Sequence, residues 1–233
     1  MVRLIRYGNV AALLALFATS ACGTTGPMTT ETPPPAAASP STAELEALYQ
    51  ARLEGARTRF VQADVNFMTG MIGHHAQALI MSALAPTNGA NPTVQVLAAR
   101  IINAQKDEIA LMQTWLRDRD QPVPEVHISG TTLMVHGAGD HSAHAHMPGM
   151  LTDAQLQELE AARGAEFDRL FLTYMIQHHS GAITMVDDLF AADGAGQDEA
   201  SFKIASDINV DQITEIARMK KMLDALTEAG KAP

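Results

Sequence analysis

Two stretches of the chain carry the same pattern of apolar and polar positions. From Asp64 to Met81, apolar residues fall at Phe67, Met71, Ile72, Ala78 and Met81, which is the 3.6-residue spacing of one helical face. Asp168 to Met185 repeats it, with nine positions identical at a constant offset of 104. The match resumes further on, where Ala98, Ile101, Gln105, Glu108, Ile109, Met112 and Leu116 recur as Ala205, Ile208, Gln212, Glu215, Ile216, Met219 and Leu223 at an offset of 107. A repeat this long predicts that each half is one supersecondary unit, and its period makes that unit a helical hairpin. Breaker runs at Ala85 to Pro92 and Asp193 to Gly196 separate the helices within each hairpin. The predicted helices cover about 44–85, 93–118, 152–191 and 197–229. Thr152 with Gln155 three residues on fits a capping box. The first long helix is expected to break near Gly55 and the third near Gly164. Two hairpins predict an all-α fold, a four-helix bundle over 44–229.

The flanking segments change the picture. Arg3 and Arg6 precede a short apolar run, Val10 to Ala18, and small residues then lead to Cys22. Residues 1–21 read as an export signal, since the run is well short of the roughly 20 residues a span needs. A lone Cys at the cleavage point resembles a lipobox, so Cys22 is expected to carry a lipid and hold the protein on the membrane. Residues 22–43, rich in Thr, Pro, Ala and Ser, read as a disordered tether. Between the hairpins, 119–150 forms a linker containing His127, His136, His141, His144 and His146, in which Val126 to Val135 fits a short β-hairpin. The single Cys excludes a disulfide framework, a multi-Cys zinc site and an iron–sulfur cluster. A formal charge of -10 without a basic patch excludes nucleic acid as a partner.

The candidate chemistry sits on the repeated His pairs. Met71, His74, His75 and Ala78 share one helical face, with Met81 a turn further; Met175, His178, His179, Ala182 and Met185 do the same in the second half. Glu108 and Met112, and Glu215 and Met219, are one turn apart on the partner helices. Met at helical spacing fits core packing as well as ligation. Two His pairs in the same context in both halves are harder to assign to packing alone, because burying four imidazoles costs free energy unless each is paired or ligated. The expectation is one site pairing Met71 with His75 and another pairing Met175 with His179, with His74 and His178 either completing the site across the bundle or facing the second cluster. Asp64 and Asp168, two to three turns earlier, are expected either to accept an imidazole N–H, best from a facing helix, or to be solvated or in local helix contact. In the linker, His141, His144, His146, Met147 and Met150 are further candidates, as are Met112 and Met219 on the partner helices.

Thioether and imidazole without thiolate suit copper, Cu(I) first with Cu(II) tolerated by the His. Zinc more often recruits Cys or carboxylate, and di-iron bundles use Glu-x-x-His, which is absent from this chain. No activated nucleophile or phosphate loop points to an enzyme. The expected function is extracytoplasmic copper binding for sequestration, tolerance or handover to a copper-handling partner protein. Two rivals stand beside it: a metal-dependent oxidase, and an envelope interaction module whose His pairs are structural. The oligomeric state stays open.

Three pieces of the sequence carry a resemblance: Phe67-x3-Met71-Ile72-x-His74-His75-x2-Ala78-x2-Met81, then Met147-Pro148-Gly149-Met150-Leu151, then Phe167-Asp168-x2-Phe171-Leu172-x2-Met175-Ile176-x-His178-His179-x-Gly181-Ala182-x2-Met185. Over about 60–229 the chain resembles the domain-of-unknown-function 305 family, exported bacterial proteins with a ferritin-like bundle. The resemblance implies that fold, and an association with copper through His and Met. Carried onto this chain, it implies ligands at His74, His75, Met71, Met81, His178, His179, Met175 and Met185.

Overall fold

The computed structural model describes residues 39–137 and 147–229. The export signal, Cys22, the tether up to 38 and the linker residues His141, His144 and His146 lie outside the described residues. All elements belong to one compact unit from Ser41 onward. They run α1 (Thr42–Thr58), α2 (Gln62–Ala83), α3 (Pro92–Asp118), β1 (Glu125–Ser129), β2 (Thr132–His136), α4 (Asp153–Ala161), α5 (Gly164–Ala191) and α6 (Glu199–Ala229). Helices α2 and α3 form one hairpin and α5 and α6 the other; α2 packs on α5 and α3 on α6, which closes a four-helix bundle. The linker hairpin pairs β1 with β2 antiparallel, Val126 opposite Val135. Among the described residues no helix is long and apolar enough to cross a membrane.

The helix breaks follow local chemistry. The first predicted helix divides at 59–61 rather than at Gly55. There the Asp64 carboxylate accepts the Val61 N–H at 2.9 Å and starts α2, while Phe60 turns edge-on to Trp115 at 5.5 Å. The third predicted helix divides into α4 and α5 at Gly164, whose φ of +58° ends the run as expected. Thr152 and Gln155 form the capping box at the start of α4. Asn91 caps α3 by accepting the Thr93 N–H, with Pro92 at the first helical position.

Two apolar clusters fill the bundle, and each draws on both hairpins. One holds Met81, Leu97, Ile101, Phe167, Phe171, Met175 and Met219; the other holds Met68, Met71, Met112, Trp115, Ala182, Val186 and Ile208. Under the repeat, Met81 corresponds to Met185, Met175 to Met71 and Met219 to Met112, so the clusters are related by a pseudo-twofold axis. Along α2, Met71 belongs to one cluster and Ala78 to the other; along α5 the order is reversed. The His pairs therefore lie at the waist between two apolar clusters. Each fully buried Leu, Ile, Met or Phe contributes roughly 1.5–3 kcal/mol of transfer free energy, which leaves little room for an imidazole unless its polar atoms are provided for.

The hairpins are also tied through their loops. Asp64 Oδ1 accepts the Gly196 N–H at 2.8 Å and the Ser201 hydroxyl at 3.0 Å, across the bundle from its own helix. Its repeat mate Asp168 accepts the Asn91 N–H at 3.0 Å. Each carboxylate holds the turn of the opposite hairpin, which corrects the expectation that they accept imidazole N–H groups. At the start of α2 and α5, nearly three turns from the His, a carboxylate is aligned with the neighbouring loop's backbone donors. Asn88 adds three Nδ2 bonds to the carbonyls of Leu159, Glu160 and Ala162.

Candidate metal centre

Helices α2 and α5 cross at the His pairs. His74, His75, His178 and His179 are all 0% exposed. The His74 and His178 rings stack, centroids 3.9 Å apart and tilted by 36°. His178 Nε2 lies 3.0 Å from the His74 carbonyl oxygen, and His74 Nε2 lies 3.0 Å from the Pro148 carbonyl oxygen. A carbonyl can only accept, so both rings carry their proton on Nε2. His179 Nε2 bonds Glu215 Oε2 at 2.6 Å. His75 Nε2 lies 2.7 Å from Glu108 Oε2 without an aligned hydrogen bond between them. In all four rings Nδ1 has no hydrogen-bond partner.

Burial pushes the His74 imidazole down to about 3, helped by the neighbouring His75 and opposed by the Pro148 carbonyl. His178 is pushed well below the usual range by burial first and then by His74. Both rings are neutral at pH 7, and each keeps a bare Nδ1 lone pair in a dry interior. That state makes the metal-free fold acid-sensitive. The unfolded chain protonates His74 near 6.5 and the folded one only near 3, so between those values the unfolded state binds more protons and stability falls as pH falls. His74 alone should cost about 2 kcal/mol between pH 6.5 and 5, at ~1.4 kcal/mol per unit. Asp168 and Asp211, which burial pushes up, act in the opposite sense as they take up protons. The urea midpoint of the metal-free protein should therefore drop between pH 7 and 5. An unchanged midpoint would show that these imidazoles are not held neutral.

Of the expected set, the structure brings His74 against His178 and divides the buried Met between two clusters. Met71 and His75, and Met175 and His179, keep one-turn spacing within unbroken helices, and His74 meets His178 across the bundle. Met71, Met81, Met112, Met175 and Met219 are all fully buried. Met81 joins Met175 and Met219 of the other hairpin rather than the cluster of Met71, because the hairpins pack antiparallel across the waist. Met185 and Met147 are partly exposed. Met150 lines a surface cleft with Gln77, Leu156 and His136.

Three features of the site do not follow from the linear sequence. Glu108 and Glu215 are the carboxylates that meet imidazoles; their identity across the repeat was the available signal. Gln77 pairs with the Leu151 backbone through Leu151 N–H to Oε1 at 2.7 Å and Nε2–H to the carbonyl at 3.0 Å. Gly181 stands where a Cβ would lie 2.0 Å from the Pro148 carbonyl oxygen. Together they lay residues 147–151 as a strap across α2 and α5, over His74. Among the described residues no three His, Cys, Asp or Glu side chains converge as a metal-holding group.

A pseudo-symmetric four-helix bundle with inward-facing polar side chains at its waist defines the ferritin-like class of helical proteins. Residues 64–223 match DUF305, a domain of unknown function, and the chain belongs to that family. Among solved structures, a DUF305 fragment from Deinococcus radiodurans is 30% identical with a TM-score of 0.58, covering 71% of this chain and 98% of that one. A DUF305 protein from Streptomyces coelicolor shares the fold at 24% identity and a TM-score of 0.59, over 71% of this chain and 94% of that one. CopM in its Cu(I)-bound form is 27% identical with a TM-score of 0.51, over 70% of this chain and 96% of that one; it is also known in Cu(II)- and Ag-bound forms. Among curated proteins none matches this sequence.

Proposed function

We propose that this protein binds copper as Cu(I) at the waist of its bundle, for sequestration or handover outside the cytoplasm. The observation that carries the reading is the set of four buried imidazoles whose Nδ1 atoms have no hydrogen-bond partner. An acceptor left unpaired in the interior costs free energy, and four at pseudo-equivalent positions suit a ligand that supplies the missing partner. Glu215 bonds His179, and the Pro148 and His74 carbonyls hold the other pair; such contacts fix ring orientation and raise the basicity of the opposite nitrogen. No three nitrogen, thiolate or carboxylate groups converge among the described residues, so further donors would come from thioethers. Imidazole with thioether, at low coordination number, favours Cu(I) or Ag(I) over zinc or a di-iron pair. CopM, bound to Cu(I), Cu(II) and Ag, supports the same chemistry by likeness.

The reading is of a binding protein rather than an enzyme, because Glu108 and Glu215 are engaged by imidazoles instead of being gathered for two-metal chemistry. Anchoring through a lipid on Cys22 and transfer to a copper-handling partner complete it. Anaerobic titration of the mature protein with Cu(I) and, separately, Zn(II), read by elemental analysis after desalting, should give retained copper and little zinc. Retention of neither metal would favour the interaction module with structural His pairs.

A further inference from the structure

The buried thioethers and imidazoles have no direct access to solvent, so an ion reaching them must first meet a donor at the surface. Gly70 lies one turn before His74 on α2. A Cβ there would be 3.3 Å from Met147 Sδ and 3.5 Å from Met185 Cε, so two thioether side chains converge over one glycine. Both are partly exposed. Both are also attached to what holds the stacked rings. Met147 precedes Pro148, whose carbonyl takes the His74 Nε2–H. Met185 lies one turn beyond Gly181, where the strap sits against α5 without room for a Cβ. Met185 packs against the apolar cluster that contains Met71 and Met112, which places it between the surface and buried thioethers.

We propose that Met147 and Met185 form the port through which a soft monovalent cation enters and leaves the imidazole site. This rests on the Cu(I)-binding reading above. Two thioethers hold Cu(I) weakly enough to pass it on, and exchange of one neutral soft donor for another needs neither proton nor electron. Drawing Met147 toward the ion moves Pro148 with it and loosens the His74 Nε2 anchor, which lets the ring turn to take the ion. Release runs the same steps in reverse. Met185, a resident ligand by family resemblance, and Met147, a candidate one by sequence, thus become way-stations: the two set the rate of exchange and not the final occupancy.

The test loads the full protein anaerobically with Cu(I) and follows its withdrawal by excess bicinchoninate in a stopped-flow absorbance experiment. Met147→Leu with Met185→Leu keeps apolar volume and removes both sulfurs. Withdrawal should slow at least tenfold, with the retained copper stoichiometry and the helical circular-dichroism signal equal to wild type. Met134→Leu removes an exposed thioether on β2 and should leave the rate unchanged. An unchanged rate in the double variant overturns the port. Loss of stoichiometric copper in the double variant also overturns it, since the two Met would then be resident ligands. A wild type that retains no Cu(I) overturns the binding reading itself and the port with it.

Discussion

Anaerobic Cu(I) at a hundredfold excess over its Kd should raise the thermal midpoint of the wild-type protein by roughly 5–10 °C, and His75→Gln with His179→Gln should lose most of that rise. Binding to the native state alone adds about 2.7 kcal/mol at that excess, and a domain of this size gains about 2–4 °C per kcal/mol. The Gln amide nitrogen falls near the position of Nε2, so it can still face Glu108 and Glu215, while the Nδ1 donor disappears. The metal-free variant should therefore keep wild-type helix content. Truncation to Ala would instead leave two mostly buried carboxylates without partners, 12% and 19% exposed at the side chain, and would mix a folding defect into the readout. Full copper stabilisation in the Gln variant would assign these rings a structural role and direct attention to the linker His.

Asp198→Ala should cost about 3–5 kcal/mol and lower the thermal midpoint by on the order of 10 °C. Asp198 Oδ2 accepts the Trp115 indole N–H at 2.7 Å, an Arg119 N–H at 2.6 Å and the Ser201 N–H at 3.2 Å at the start of α6. Arg119 also lies over the Trp115 ring at 4.3 Å. One carboxylate thus joins the end of α3 to the start of α6, and the Arg119 side chain is only 6% exposed. Removing the carboxylate strands that cation in the interior. The pair is one-armed, with Asp198 Oδ1 and Arg119 Nε unpartnered, so Asp198→Ala combined with Arg119→Met should recover much of the loss. A single variant that melts within 2 °C of wild type would show that the network contributes little.

The repeat and its 3.6-residue period are properties of the chain in order, so the sequence by itself determined the two hairpins, the bundle, the capping box at Thr152 and the His pairs. A hydrophobic stripe can be buried in few ways, and a duplicated stripe has to meet its copy. The break before α2 came out four residues late because it depends on Asp64 and Phe60 finding partners in distant segments, not on the glycine nearby. What only the tertiary structure decided are the partners of polar atoms. Register within each hairpin brings Glu108 to His75 and Glu215 to His179, whereas Asp64 and Asp168, companions of the His in the linear sequence, go to the opposite loops through the antiparallel packing of one hairpin on the other. The same packing exchanges Met81 and Met185 between the hairpins and draws Pro148 over His74. Periodicity names the face a side chain occupies; which group it meets there depends on the register between helices, and that is set by the whole core at once.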